Sequence, residues 1–122
     1  MRVLMAVSRQ EMRTALGLLL SQEPDIRLVG APGNSHELLA NLERLRPDVV
    51  LLDCDLPGLP TAELLAPIKA QDAKLKVLVL CSRIEEGQAA VTAGARTFVE
   101  KTSHPRQLLT ALHVLQLESE YE

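Results

Sequence analysis

Residues 46–58 read RPDVVLLDCDLPG, and this stretch decides the fold. Positions 49–52 are all apolar, which predicts a strand buried on both faces, as in the centre of a parallel sheet. The strand runs into Asp53, and the pair Pro57-Gly58 predicts that a loop follows. A carboxylate at the end of an apolar strand is costly to bury unless it meets a cation or hydrogen-bond donors. We therefore interpret Asp53 as a site residue, with a turn or capping aspartate as the alternative.

Four other short apolar runs accompany this strand, two before it and two after it. They cover residues 2–7, 26–31, 76–80 and 97–100. Apolar residues spaced three and four apart predict the first, second and fifth helices. A helix is also expected around residues 62–70, and residues 84–92 predict a weak helix with Gly87 in its interior. Strands that alternate with helices are typical of an α/β fold. We predict a three-layer, doubly wound parallel sheet with a (βα)5 arrangement.

Several residues predict where the helices begin and end. Ser8 and Glu11 match a capping box at the start of the first helix, and Asn34 is a candidate cap for the second. Pro67 falls inside the third helix, where it predicts a late start, a kink or an early end. Pro105 suits the first turn of the fifth helix.

Composition limits the class of protein. With 122 residues the chain fits one domain, which we place at residues 1–117, followed by an acidic tail at 118–122 that is expected to fray. The formal net charge of −3 excludes a basic surface for wrapping nucleic acid. No apolar run approaches the roughly 20 residues that span a bilayer, so we expect no membrane partner. Two cysteines without a secretion signal predict free thiols and a cytoplasmic location.

The carboxyl ends of the strands are where such a sheet places its functional groups. Asp53 ends the third strand, and Lys101 follows the fifth. Lys101 is predicted to extend across this edge toward Asp53, as a countercharge and as a cation suited to phosphate oxygens. An exposed lysine without a site role is the alternative.

Three segments together point to a family. The chain resembles the receiver domain of two-component response regulators in three segments, which are RPDVVLLDCDLPG at 46–58, VLVLCS at 77–82 and AGARTFVEK at 93–101. The resemblance covers residues 2–115, and EPDIRLVG at 23–30 with LRPDVVLLD at 45–53 look most like NarL-type members. It implies a flavodoxin-like sheet of order 2-1-3-4-5 and a signalling module that is not an enzyme.

The resemblance also implies roles for single residues. Asp53 matches the aspartate that accepts a phosphoryl group, and Lys101 matches the lysine that pairs with the aspartate and the phosphoryl oxygens. Cys81 and Phe98 match the two switch positions, where the family has a Ser or Thr and an aromatic residue. Asp55 matches the position whose backbone carbonyl helps Asp53 to hold Mg²⁺.

The chain departs from the family at the acidic pair that follows the first strand. The matching residues are Val7 and Ser8, and a valine offers no oxygen to a metal that prefers carboxylates. We therefore expect Mg²⁺ binding to be weak or absent and Mg²⁺-dependent phosphorylation to be slow. A second departure is the thiol of Cys81, which is a weaker donor than a hydroxyl.

The implied partners are a histidine kinase or another phosphodonor and, as a further hypothesis, a second copy in a homodimer. DNA is expected to be reached only through an output domain that is not among these 122 residues. The main alternative is a pseudo-receiver that acts as a protein-interaction module without phosphorylation.

Three weaker alternatives stay open. The pair Asp53 and Asp55 is similar to the D-x-D of haloacid-dehalogenase-type phosphatases, although it follows the wrong strand. A flavodoxin-like FMN binder would need a loop rich in Gly, Ser and Thr after the first strand, where this chain has VSRQ at 7–10. The third alternative is a redox pair formed by Cys54 and Cys81, although two reduced thiols are the expected state.

Overall fold

Five strands alternate with five helices through residues 1–120, which are the residues that this computed structural model describes. The elements are β1 Arg2–Ala6, α1 Gln10–Ser21, β2 Arg27–Gly30, α2 Ser35–Leu45, β3 Val49–Asp53, α3 Thr61–Gln71, β4 Lys76–Cys81, α4 Ile84–Thr92, β5 Thr97–Glu100 and α5 Pro105–Glu120. The alternation predicted from the apolar runs is confirmed.

The strands form one parallel sheet in the order β2-β1-β3-β4-β5, which is the flavodoxin-like order. Every residue of β3 and β4 is buried, because helices cover both faces of the sheet centre. Helices α2, α3 and α4 pack against one face of the sheet and form one layer of the core. Helices α1 and α5 pack against the opposite face and form the other. The chain order reverses between β1 and β3, so the switch point lies at the carboxyl end of these two strands.

The strand register determines which residues meet at that edge. Ala6 pairs with Leu52, so the next step brings Val7 beside Asp53. Asp53 in turn pairs with Leu80. The candidate site is therefore built on the central strands, where burial makes the backbone positions most rigid.

The predicted cap at Ser8 is wrong. Helix α1 begins at Gln10, its N-cap position is Arg9, and no side chain caps it. A hydroxyl can cap only from the residue next to the first helical turn, and Ser8 lies one residue too early. The serine therefore stays outside the helix, at the edge of the sheet.

The cap at Asn34 is confirmed, since Asn34 Oδ1 accepts a hydrogen bond from the backbone N–H of Glu37 at 2.8 Å. The late start or early end predicted from Pro67 is wrong, because α3 runs unbroken from Thr61–Gln71. Leu64, Leu65 and Ile68 are buried around the proline. Their burial offsets the cost of about 3 kcal/mol for an interior proline.

The turn after β3 is attached to the start of α2. Ser35 N–H donates to the carbonyl of Pro57 at 2.9 Å, and Ser35 Oγ accepts from Leu59 N–H at 3.0 Å. Gly58 has a φ of 113°, and a Cβ at this position would overlap Ser35 Oγ. Only glycine fits here, and the turn therefore holds the loop that follows Asp53 in one position.

The segment predicted as an acidic tail is partly helical. Residues 118–120 continue α5, and Glu118 Oε2 pairs with Arg96 Nε at 2.8 Å. Residues 121 and 122 lie outside the described residues. No helix in the described part of the chain has the length and apolar character that crossing a bilayer needs.

Candidate functional site

Asp53 and Lys101 meet at the carboxyl edge of the sheet. Lys101 Nζ lies 2.5 Å from Asp53 Oδ1. Asp53 is fully buried, and the side chain of Lys101 is only 13% exposed. Lys101 is held in place by its backbone N–H, which donates to the carbonyl of Cys81 at 2.7 Å. The juxtaposition predicted from the strand ends is therefore present in the structure.

Asp55 adds a second carboxylate to the same lysine. Its Oδ2 lies 2.7 Å from Lys101 Nζ, and its backbone N–H donates to Asp53 Oδ1 at 2.9 Å. The Asp55 side chain is 63% exposed, so it forms the outer part of the site. The resemblance to the family implied a role only for the backbone carbonyl of Asp55, and its carboxylate entered only the weaker phosphatase alternative. The available signal was its position two residues after Asp53, facing the same cation.

The second oxygen of Asp53 has a different environment from the first. Oδ2 is buried, and no donor within residues 1–120 forms a hydrogen bond with it. A buried carboxylate oxygen without a partner is unusual because its desolvation is not compensated. Oδ2 is therefore the oxygen of Asp53 that no donor in the described residues occupies.

The electrostatics of the site keep Lys101 charged. Burial by itself lowers the pKa of the ammonium, but hydrogen bonds to Asp53 and Asp55 raise it, and the net pKa lies above the ordinary 10.5. Lys101 is thus a permanent cation at neutral pH. Two carboxylates share this cation before any ligand arrives.

The residues at the family's acidic-pair positions lie where the register predicts. Val7 is fully buried and packs with the α1 and α5 side of the core. Ser8 is partly exposed and directly follows it. Within residues 1–120, no group of three or more His, Cys, Asp and Glu side chains is arranged to hold a metal ion. The second carboxylate at this site is that of Asp55, which shares Lys101 with Asp53.

Comparison with known proteins identifies the family. The profile of the response regulator receiver domain matches residues 3–113. This chain belongs to the response regulator receiver domain family. Family membership favours the receiver hypothesis over the phosphatase and the FMN binder.

Two curated relatives and one solved structure illustrate the similarity. The nitrate/nitrite response regulator protein NarL of Escherichia coli K12 is 33% identical over 104 residues, which are 84% of this chain and 48% of NarL. The response regulator protein VraR of Staphylococcus aureus is 28% identical over 91% of this chain and 54% of VraR. The isolated receiver domain of RcsB from Salmonella enterica serovar Typhimurium, solved with the phosphomimetic BeF₃⁻, has a TM-score of 0.88 at 26% identity over 95% of this chain and 88% of that one. The receiver spans about half the length of the curated relatives it matches.

The two residues that match the family's switch positions, Cys81 and Phe98, lie on the α3 and α4 side of the sheet. Cys81 is fully buried, with its Sγ 3.9 Å from the carbonyl oxygen of Val99. Phe98 is half-buried against the same layer of the core. A Cβ on Gly87 of α4 would overlap the Phe98 ring, so the ring lies directly against the helix backbone. The contact depends on Gly87, because a side chain at this position would displace the ring.

The two thiols are free and poorly suited to redox chemistry. Cys54 follows Asp53, and the strand register places it beside Cys81. Burial raises the pKa of the Cys54 thiol to about 11, against a smaller opposing effect of a hydrogen bond to Thr61. Burial also raises the pKa of Cys81. Because the thiolate is the reactive form, both residues are expected to be inert at neutral pH.

The raised pKa of Cys54 predicts a loss of stability in alkali. The unfolded thiol ionises around its ordinary pKa of 9.0, whereas the folded thiol does so at about 11. The contribution of the Cys54 thiol to the free energy of unfolding is therefore present in full below pH 9 and is lost as pH rises through 11. We expect the wild type to lose about 1 kcal/mol more than Cys54→Val over this window, since a half-buried group is partly screened.

Urea denaturation of both proteins at several pH values measures this difference. The two proteins should show parallel pH dependence between pH 7 and 8.5, which serves as the internal control. Parallel curves up to pH 11 would contradict the expected burial of the thiol.

Proposed function

We propose that this receiver accepts a phosphoryl group on Asp53 and relays a signal from a histidine kinase or another phosphodonor. The observation that carries the proposal is the asymmetry of the Asp53 carboxylate. Oδ1 is paired with Lys101, while the buried Oδ2 has no donor within the described residues. One oxygen is thus paired, and the other, which has no partner, is the one that we propose as the nucleophile.

The reaction needs little beyond positioning and charge. Asp53 Oδ2 attacks the phosphorus of the donor, the bond from phosphorus to the donor's leaving group breaks, and an aspartyl phosphate forms. The Asp53 carboxylate loses its charge when the aspartyl phosphate forms, and the phosphoryl oxygens then lie near Lys101 Nζ. The ammonium can neutralise these oxygens as a point charge.

The donor set at this edge does not fit a tight Mg²⁺ site. Magnesium needs near-octahedral coordination by hard oxygens and is usually held by one or two carboxylates with waters and phosphate oxygens. Val7 supplies no oxygen, Ser8 supplies a neutral one, and the carboxylates of Asp53 and Asp55 already share Lys101. We propose an atypical, NarL-like receiver in which Mg²⁺ binding is weak and contributes little to the reaction.

The second candidate function is a pseudo-receiver that binds partners without being phosphorylated. The pairing within the site favours it, since Lys101 already contacts two carboxylates and is not held open for a phosphoryl group. In that role Cys81 and Phe98 would be ordinary packing residues, whereas in the phosphorylated receiver we propose that they report the state of Asp53.

The rest of the assignment follows from the role in signalling. A cytoplasmic location is part of the proposal, and the two free thiols suit a reducing compartment. A homodimer is also a proposal. Contact with DNA through an output domain is a further one, because the curated relatives are about twice as long as this chain.

Acetyl phosphate and intact-mass spectrometry test the phosphorylation of Asp53. The wild type should gain one phosphoryl group, mapped by peptide analysis to Asp53, and Asp53→Asn should gain none. Asp25→Asn removes an exposed aspartate far from the site and should behave as the wild type. Absence of the adduct on the wild type with Mg²⁺, with Mn²⁺ and without metal would overturn the proposal in favour of the pseudo-receiver.

A further inference from the structure

We propose that the carboxylate of Asp55 is a positioning residue that holds Lys101 back from an incoming phosphoryl group and so slows the phosphorylation of Asp53. The inference rests on the proposed function and concerns the regulation of the same site. It assigns a role to the Asp55 side chain, in addition to any role of its backbone carbonyl.

The geometry places Lys101 between two anions. Its Nζ lies 2.5 Å from Asp53 Oδ1 and 2.7 Å from Asp55 Oδ2. An ammonium has three N–H donors, and two of them are engaged in these pairs. A phosphoryl group on Asp53 must compete for the same cation. A stronger ion pair between Asp55 and Lys101 leaves the ammonium less able to bind phosphoryl oxygens.

The charges act in the same direction. Asp53, Asp55 and Lys101 together carry one net negative charge before a donor arrives. A phosphoryl group brings about two more negative charges at neutral pH. Asp55 is mostly exposed while Asp53 is fully buried, so its charge lies on the solvent side of the acceptor. A dianionic donor that approaches from solvent meets a like charge there, and repulsion across a few ångströms is strong in a partly buried site.

The loop holds Asp55 in this position. Its own N–H donates to Asp53 Oδ1, and Leu56 N–H donates to the carbonyl of Asp53 at 3.0 Å. The turn at Gly58 is attached to α2 through Ser35. Because the backbone is fixed on both sides of Asp55, its side chain loses little freedom in pairing with Lys101.

The variant Asp55→Asn tests the inference, because it removes the charge and keeps the backbone hydrogen bond to Asp53. We expect acetyl phosphate to label Asp53 about tenfold faster in Asp55→Asn than in the wild type. Asp55→Glu retains the charge and should label much closer to the wild-type rate. Asp25→Asn is the control for the loss of one negative charge elsewhere on the surface.

Two further measurements separate this role from a merely structural one. The ratio of the labelling rates should shrink as salt rises from about 0.01 to 1 M, because like-charge repulsion is screened. The urea midpoint of Asp55→Asn should stay near that of the wild type, since an exposed ion pair contributes little to stability. A pure folding defect would move the midpoint and leave the salt dependence unchanged.

The outcomes distinguish this inference from the proposed function. Equal or slower labelling of Asp55→Asn, with the wild type labelled at Asp53, overturns the inference and leaves the proposed function standing. Failure of both proteins to become labelled at Asp53 overturns the proposed function and the inference together.

Discussion

Replacing Lys101 with methionine is expected to lower the free energy of unfolding by about 3–5 kcal/mol. The reason is the burial of Asp53, whose carboxylate would lose its cation while staying out of water. Its Oδ1 would retain only the N–H of Asp55, and no donor in residues 1–120 bonds Oδ2. Methionine keeps the length of the side chain, so the loss reflects charge more than packing. Urea denaturation at pH 7 measures it.

A double-mutant cycle identifies the buried charge as the cause. Asp53→Asn combined with Lys101→Met removes both charges, and it should recover most of the stability that Lys101→Met alone loses. Asp55→Asn, which removes the exposed partner, should change stability by at most about 1 kcal/mol. A loss below about 1 kcal/mol in Lys101→Met would mean that Asp53 is solvated or paired elsewhere.

The choice of pH matters for this comparison. Pairing with Asp53 and Asp55 holds the pKa of Lys101 above its ordinary 10.5. The stabilisation that Lys101 provides is therefore complete below that pH and is lost only as pH rises through the folded-state pKa. At pH 7 the cycle compares fully formed ion pairs.

The sequence predicted the sheet well because strand burial is visible locally. Residues 49–52 are uniformly apolar, and β3 is buried at every position. The meeting of Asp53 and Lys101 followed from topology alone, since parallel strands carry their ends to one edge. Neither prediction needed the details of side-chain packing.

The errors arose where the outcome depends on one or two residues or on distant contacts. Ser8 satisfied the pattern of a cap, but the helix starts at Gln10, and helix ends are poorly specified by local sequence. Pro67 was given too much weight, because its cost is offset by neighbours buried against the sheet. The pairing of Asp55 with Lys101 joins residues 46 positions apart. The local pattern placed Asp55 close to Asp53 but did not report this ion pair.

The error at Ser8 has a useful consequence, because a serine that caps no helix can be replaced without removing a cap. We expect Ser8→Asp to raise the affinity for Mg²⁺ about tenfold to a hundredfold over the wild type. The new carboxylate would follow β1 beside Asp53, at one of the positions where the family has its acidic pair. Ser8 suits this test better than Val7, because Val7 is fully buried among aliphatic side chains.

An Mg²⁺ titration followed by NMR, through the amides around Asp53, measures the two affinities. Thr14→Asp adds the same charge on the exposed side of α1 and should leave the wild-type affinity unchanged. In Ser8→Asp, acetyl phosphate labelling should also become more dependent on Mg²⁺, because phosphoryl transfer gains from a cation that absorbs developing charge. The proposal of a metal-poor site would be wrong if the wild type already bound Mg²⁺ as tightly as Ser8→Asp, since Asp53 and Asp55 would then suffice as its carboxylate ligands.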